Sequence, residues 1–250
     1  MNETYDRPPA QAGGIDWYLA FLLLTHHGSA EPDDTIAVRS CAAIVQAPTP
    51  DLAFSRSIDL GRRLVSETDF AEWDFVGIED LLPRHEAPRD GVEILWSEEE
   101  MTPDEVAQLV KPGGKLAALQ IEPTVNSSGW YAARIILEEV HDTGSHGPRS
   151  LVWINSYLIR ADSPEAAYRR SLEIGRAEQE AGSHRCDGDT AHWEFLGLQD
   201  LLATRAAPAD GAVLWYDEFR VRASQIPALT SDKAQLSAFR RSGPVLLPSY

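Results

Sequence analysis

The side chains of this sequence that could do chemistry are few and loosely grouped. His184, Cys186 and His192 fall within nine residues of one another. Imidazole and thiolate together bind zinc where a loop folds back on itself. Closed zinc sites normally carry paired ligands at two-residue spacing, which this stretch lacks. The other reading of His184-Arg185-Cys186-Asp187-Gly188-Asp189 is a polar loop between a helix and a strand. His26-His27, and His141 with His146, fall in loops after the expected first strands. Asp80 and Asp200 each stand three residues after a glycine and directly before Leu-Leu, where an aspartate most simply caps a turn. General acid–base work would want a second carboxylate, and Glu79 beside Asp80 is replaced by Gln199 beside Asp200. No nucleophile elbow, phosphate loop, dinucleotide fingerprint or paired-histidine zinc motif occurs. Gly113-Gly114-Lys115 lacks the spacing and following hydroxyl of a phosphate loop and reads as linker. No catalytic residue is assigned and no cofactor is expected.

The elements that would position these groups come in two copies. Trp73-Asp74-Phe75-Val76-Gly77-Ile78-Glu79-Asp80-Leu81-Leu82 matches Trp193-Glu194-Phe195-Leu196-Gly197-Leu198-Gln199-Asp200-Leu201-Leu202 at six of ten positions. Thr49-Pro50-Asp51 matches Ser163-Pro164-Glu165, Trp17-Tyr18 matches Trp130-Tyr131, and Asp90-Gly91 with Leu95-Trp96 matches Asp210-Gly211 with Leu214-Trp215. Four matches in the same order define a repeat. The reading is a flexible tail at 1–14, a first module at 15–112, a linker at 113–127, a second module at 128–228 and a tail at 229–250. Residues 116–121 suit a short strand or a packed tether.

Within each copy, apolar runs at 17–25 and 36–47 predict strands, and Thr49-Pro50 or Ser163-Pro164 opens a helix. Ala53, Ser57 and Gly61, like Ala167, Ser171 and Gly175, recur at spacing four and put small residues on the face toward a sheet. A third strand follows at the tryptophan motif. The Asp-Gly pair then predicts a tight turn into a fourth, and Thr102-Pro103-Asp104-Glu105 opens a closing helix. The expected fold is α+β: two tandem ββαββ(α) modules forming an internal pseudo-dimer with mainly antiparallel sheets.

The second copy, with its Trp-Tyr-x-Ala strand, Pro-Glu-Ala-x-Tyr helix and Trp-Glu-Phe-x-Gly-Leu-x-Asp-Leu motif, resembles a bacterial family called domain of unknown function 4288. The first copy resembles it less closely, so the chain looks like a fused double version. The resemblance implies the fold and brings no activity or site residue with it.

Composition narrows the function. The 250 residues carry a net charge of −17, with 43% hydrophobic and 24% charged side chains. Such a field repels nucleic-acid backbones and anionic lipid surfaces. Two cysteines, no basic-then-apolar leader and no apolar run near membrane-spanning length suit a cytoplasmic protein. Residues 1–125 hold 23 acidic and 9 basic side chains, net −14, against net −3 for the rest. Glu98-Glu99-Glu100 is the densest acidic run; such a run reads as a solvated face or, alternatively, as a docking rim for a basic partner. The retained Trp17/Trp130, Trp73/Trp193 and Trp96/Trp215 read as core aromatics or as a binding groove. The expected function is a non-catalytic protein that binds a peptide or protein, inhibitor-like or an accessory factor, and runs as a monomer. Its candidate contacts are Trp17, Trp73, Asp80, Glu98, Glu99, Glu100, Trp130, Trp193 and Asp200. The competing expectation is an enzyme with a site in the cleft between the modules, assisted by a metal at His184, Cys186 and His192.

Overall fold

Each apolar run expected as a strand becomes one, and every strand pairing is antiparallel. The computed structural model describes residues 16–27, 35–67, 70–84, 86–120, 128–141, 149–180, 183–186 and 189–240. The first copy supplies β1 (Asp16–His26), β2 (Thr35–Ala47), α1 (Pro50–Leu64), β3 (Trp73–Arg84), β4 (Glu93–Met101), α2 (Pro103–Leu109) and α3 (Ala117–Gln120). The second supplies β5 (Trp130–His141), β6 (Ser150–Arg160), α4 (Pro164–Glu180), β7 (Ser183–Cys186), β8 (Asp189–Ala203), β9 (Val213–Arg222) and α5 (Ile226–Leu229). The fold is α+β with antiparallel sheets.

The helix starts are as the sequence reads. Thr49 Oγ1 accepts the Leu52 amide at 3.3 Å, and Ser163 Oγ accepts the Ala166 amide at 3.1 Å. The small residues face the sheets, with Ala53, Ser57, Gly61, Ala167, Ser171 and Gly175 all buried. A Cβ on Gly61 would collide with the Phe75 ring, and one on Gly175 with the Phe195 ring. Each helix therefore seats an aromatic edge directly on its backbone.

Strand order departs from the tight Asp-Gly turn expected to lead from each third strand into the fourth. One sheet runs β3-β1-β2-β9 and the other β4-β6-β5-β8-β7. The fourth strand of the first copy thus lies in the second copy's sheet, with Glu98 opposite Trp153. The fourth strand of the second copy lies in the first copy's sheet, with Glu218 opposite Arg39. The connections 85–92 and 204–212 are far longer than the two-residue turn of a tight hairpin. They carry the chain across to the other sheet instead. Gly91 donates to the Leu158 carbonyl and Gly211 to the Ile44 carbonyl, each at 2.8 Å. Both glycines have φ +76°, which side-chain-bearing residues adopt only at a cost. Asp90 Oδ1 accepts the Arg160 amide and Asp210 Oδ1 the Gln46 amide, both at 2.8 Å. The Asp-Gly turns therefore clamp one copy to the other.

The register also corrects an equivalence. Trp96 lies opposite Asn155 and Leu95 opposite Ser156, while Tyr216 lies opposite Cys41 and Trp215 opposite Ala42. Asn155 and Cys41 are 114 residues apart, the spacing of the helix caps, so Trp96 corresponds to Tyr216 and Leu95 to Trp215. Matching the two tryptophans directly puts them one residue out of step, on opposite faces of the sheet.

Chain beyond the fourth strands is exchanged as well. Residues 113–120, read as linker, form a 3-10 turn (Gly113–Lys115) and α3, not a strand, with Leu116 fully buried. Residues 229–240, read as tail, end in two 3-10 turns (Lys233–Gln235 and Ser237–Phe239) around a fully buried Leu236. Lys111 donates to the Leu198 carbonyl and Ser231 to the Ile78 carbonyl, so each clip docks on the sheet its own fourth strand joins. Gly197 makes room for Val110, whose Cγ1 would stand 2.8 Å from a Cβ there.

Three large apolar clusters result, with a smaller fourth under α2 around Val106, Ile136, Val152 and Ile154. α1 covers the outer face of the four-stranded sheet through Tyr18, Leu22, Leu60 and Phe70. α4 covers the outer face of the five-stranded sheet through Tyr131, Ile135, Ile159 and Ala167. Between the sheets, Leu19, Phe21, Ile44, Leu82, Ile94, Leu95, Ala132, Leu158, Leu214 and Trp215 form one cluster. The space where a cleft was expected is thus filled with apolar side chains. Arg134 of β5 reaches Asp217 of β9 at 2.7 Å across the same boundary.

Two outcomes follow from this packing. Gly61→Ala forces the Phe75 ring aside and should lower stability by about 1–3 kcal/mol in urea titration, with Gly175→Ala behaving alike. A protease site placed within 121–127 and cleaved should leave both fragments in one particle, separating only when the sheets unfold, as size exclusion across a urea series would report.

Candidate functional site

The sequence reads Asp80 and Asp200 as turn caps and candidate binding contacts, and the structure places both inside strands rather than at turn caps. Each sits beside a bulge: β3 slips between Phe21/Leu22 of its partner, and β8 between Arg134/Ile135, leaving Glu79 and Gln199 as the extra residues. Asp80 accepts the Leu81 and Ser237 amides, both at 2.7 Å, and the Ser237 hydroxyl at 2.6 Å. Asp200 accepts the Leu201 amide at 2.8 Å, the Ala117 amide at 2.9 Å and the Lys111 ammonium at 2.5 Å. These lone pairs are spent on the exchanged clips. The retained aspartates fasten one copy to the other.

Asp90 is likewise structural. Its partial burial works to raise the pKa, but the Arg160 amide and the Arg170 guanidinium outweigh it and hold the carboxyl below its ordinary value. Arg170 lies 2.8 Å from Asp90 Oδ2. This clamp is present above the ordinary carboxylate range and lost as pH falls through the lowered value. Burial pushes the Cys41 thiol up to about 12, against the pull of Arg39 and Arg205, so it is no nucleophile at neutral pH.

The stretch read as a loop around His184 and Cys186 contains β7, which pairs with the start of β8. His184 stands opposite Ala191 and Cys186 opposite Asp189. The side chains of His184 and Cys186 lie outside the described residues. His192 is partly buried, opposite Val140. Among the described residues, no group of three or more His, Cys, Asp or Glu side chains is arranged to hold a metal ion.

The tryptophans divide. Trp17 and Trp130 pack, partly buried, against the cluster between the sheets. Trp73 and Trp193 are buried on the outer faces, and each anchors an aromatic frame. In the first frame, the Arg39 guanidinium carbon lies 4.0 Å from the centre of the Trp73 ring and 4.4 Å from that of Tyr216. Its Nε donates to Glu218 at 2.9 Å. His26 meets Trp73 edge-on at 5.1 Å. In the second frame, Trp153 takes the place of Arg39. Its ring centre is 4.0 Å from that of Trp193 and 6.1 Å from that of Trp96, and its Nε1 donates to Glu98 at 2.8 Å.

Each frame is built from both copies, because Tyr216 and Glu218 ride on β9 and Trp96 and Glu98 on β4. The structure thus brings Glu98 to Trp193 through Trp153, which sequence reasoning missed. Arg39, Tyr216 and Glu218 were missed as well. The signal was there at a spacing of 114, but comparing copies for identical residues passes over a position that is Arg in one and Trp in the other. Glu98 is a partly buried hydrogen-bond acceptor rather than a free rim carboxylate. Glu99 and Glu100 lie beside it on β4, the edge of the five-stranded sheet, and Arg149 donates to the Glu100 carbonyl. Beneath the second frame, Tyr157 is buried. That burial raises its pKa, the Glu178 carboxylate raises it further, and a hydrogen bond with Asn155 opposes both.

With this geometry in view, residues 130–215 match the family described as Domain of unknown function (DUF4288). That segment carries β5, β6, α4, β7, β8 and the first residues of β9, and so includes Trp153 and Trp193 of the second frame. No curated protein and no solved structure matches the chain. Among the described residues, no helix is long and apolar enough to cross a membrane.

Removing the carboxylate of Asp200 leaves two backbone amides and Lys111 without their acceptor. Asp200→Ala should cost about 1–3 kcal/mol, and hydrogen exchange should show residues 111–120 losing protection before the strands of the five-stranded sheet do.

Proposed function

We propose that the chain is a non-catalytic binding protein for a basic peptide or protein, with the acidic edge of the five-stranded sheet as its contact. One observation carries this reading: β4 is an edge strand whose last residues, Glu98, Glu99 and Glu100, run alongside the aromatic frame of Trp96, Trp153 and Trp193. Aromatic side chains anchor interfaces, and a field of one sign steers a partner of the other. An inhibitor-like role and an accessory role in a biosynthetic cluster both use such a surface, in the cytoplasm. The filling of the inter-sheet space by Leu19, Phe21, Ala132, Leu158 and Leu214 favours this reading over an enzyme with its site in that space.

The exchange of β4 and β9 further supports reading the chain as two fused copies of one ββαββ module, an internal pseudo-dimer. Separate chains would reach the same arrangement by swapping their fourth strands. The match of residues 130–215 to the family, and the motifs they share with the first copy, support reading both modules as members of that family.

The test is affinity capture from the native host, with Glu98→Gln/Glu99→Gln/Glu100→Gln as one bait and Glu173→Gln/Glu180→Gln as the matched control. A basic polypeptide retained by the parent and the control should be retained far less by the triple variant. Its association rate should fall as salt rises, since exposed charges are screened over about 8 Å at physiological ionic strength. Capture indifferent to both salt and the triple variant would show that the acidic edge is only a solvated surface.

A further inference from the structure

The two frames occupy equivalent places, yet they differ in charge in a way that names an occupant. In the first, the guanidinium of Arg39 lies against Trp73 and Tyr216 and is neutralised by Glu218. The chain thereby shows what this geometry accommodates: a planar cation stacked on aromatic faces, with a carboxylate at its edge. In the second, Glu98 stands where Glu218 does, but its hydrogen-bond donor is the neutral indole of Trp153. Where the first frame has His26, opposite Trp73, the second has Glu139, opposite Trp193 and 7% exposed. Glu139 lies 3.4 Å from His141. Asn155, 2% exposed and opposite Trp96, has an Oδ1 without a hydrogen-bond partner among the described residues. The first frame carries its own guanidinium charge, from Arg39 and from Arg205, which lies 5.6 Å from the centre of the same Tyr216 ring. The other keeps the aromatic surface and the carboxylates and has exchanged the arginine for a third indole.

We infer that the frame of Trp96, Trp153 and Trp193, with Glu98, is a recognition site for an arginine side chain of the partner, stacked on the partly exposed indoles of Trp96 and Trp153. The inference rests on the binding function proposed above and gives that partner its chemistry. A guanidinium suits the site better than an ammonium because it is planar, weakly hydrated and stacks on indole while donating to a carboxylate. The first frame already carries the Arg39 and Arg205 guanidiniums and repels such a ligand, whereas the second offers the partly exposed indoles of Trp96 and Trp153 beside Glu98.

The test uses the full chain and two probes: the tripeptide acetyl-Gly-Arg-Gly-amide, and its citrulline analogue, which keeps the shape and loses the charge. The arginine peptide should shift the indole N–H resonances of Trp96, Trp153 and Trp193 in a nuclear magnetic resonance titration, and the citrulline peptide should not. Trp153→Arg writes the first frame's own solution into the second. It should weaken arginine-peptide binding about tenfold or more while leaving thermal unfolding close to that of the parent, because β2 already accepts arginine at this position. Glu98→Gln, which keeps an acceptor for the indole, should weaken binding several-fold. Equal binding of the two peptides, no shift at these indoles, or binding unchanged in Trp153→Arg overturns the inference. If the arginine peptide fails while capture of a basic partner still depends on Glu98, Glu99 and Glu100, this site is wrong and the broader reading stands. If the peptide binds as expected but capture ignores the acidic edge, the broader reading falls and the arginine site remains.

Discussion

The constraint on which the rest of the structure depends is the satisfaction of backbone hydrogen bonds along β2 and β6. Each of these strands is paired on one side by its own copy and on the other by the fourth strand of the other copy. Without that exchange, both would present a row of unpaired amides and carbonyls beside apolar side chains, an arrangement open to aggregation. Exchange meets the requirement twice, and it makes neither copy complete without the other. Main-chain pairing, the Asp-Gly clamps and the docked clips all cross the same boundary.

This explains why so many features retained between the copies are engaged in holding the exchanged segments. Asp80 and Asp200, Asp90 and Asp210, Gly77 and Gly197, Leu116 and Leu236 all hold exchanged segments in place. An acidic side chain kept in both copies invites a catalytic reading. Here the lone pairs of Asp80 and Asp200 are taken by partly buried backbone amides, and those of Asp90 and Asp210 by amides of the other copy's strands.

Divergence is therefore the more informative signal. Arg39 and Trp153 occupy one geometric position and satisfy one carboxylate each, by a charged donor in the first case and a neutral one in the second. The substitution conserves stacking and hydrogen bonding while changing the charge of the surface. The acidity of the first copy's sequence also ends up elsewhere: β4 delivers Glu98, Glu99 and Glu100 to the sheet of the second. Charge counted by sequence half and charge counted by sheet are different quantities in an exchanged fold.

By itself, the sequence determined the eight long strands and the starts of the helices α1, α2 and α4. Strand periodicity, the Thr49-Pro50 and Ser163-Pro164 caps, the small-residue stripes and the Asp-Gly turns are local or near-local properties, set by backbone geometry within a few residues. The repeat was legible for the same reason. The sheet to which a fourth strand belongs was not legible, because antiparallel pairing to the parent sheet or to its twin satisfies the same pattern of apolar and polar residues. Only the length of the crossing, the register against Asn155 and Cys41 and the packing between the sheets decide it. The role of Asp80, the correspondence of Trp96 with Tyr216, and the meeting of Glu98 with Trp153 all follow from that tertiary choice, since each joins residues at least 55 positions apart.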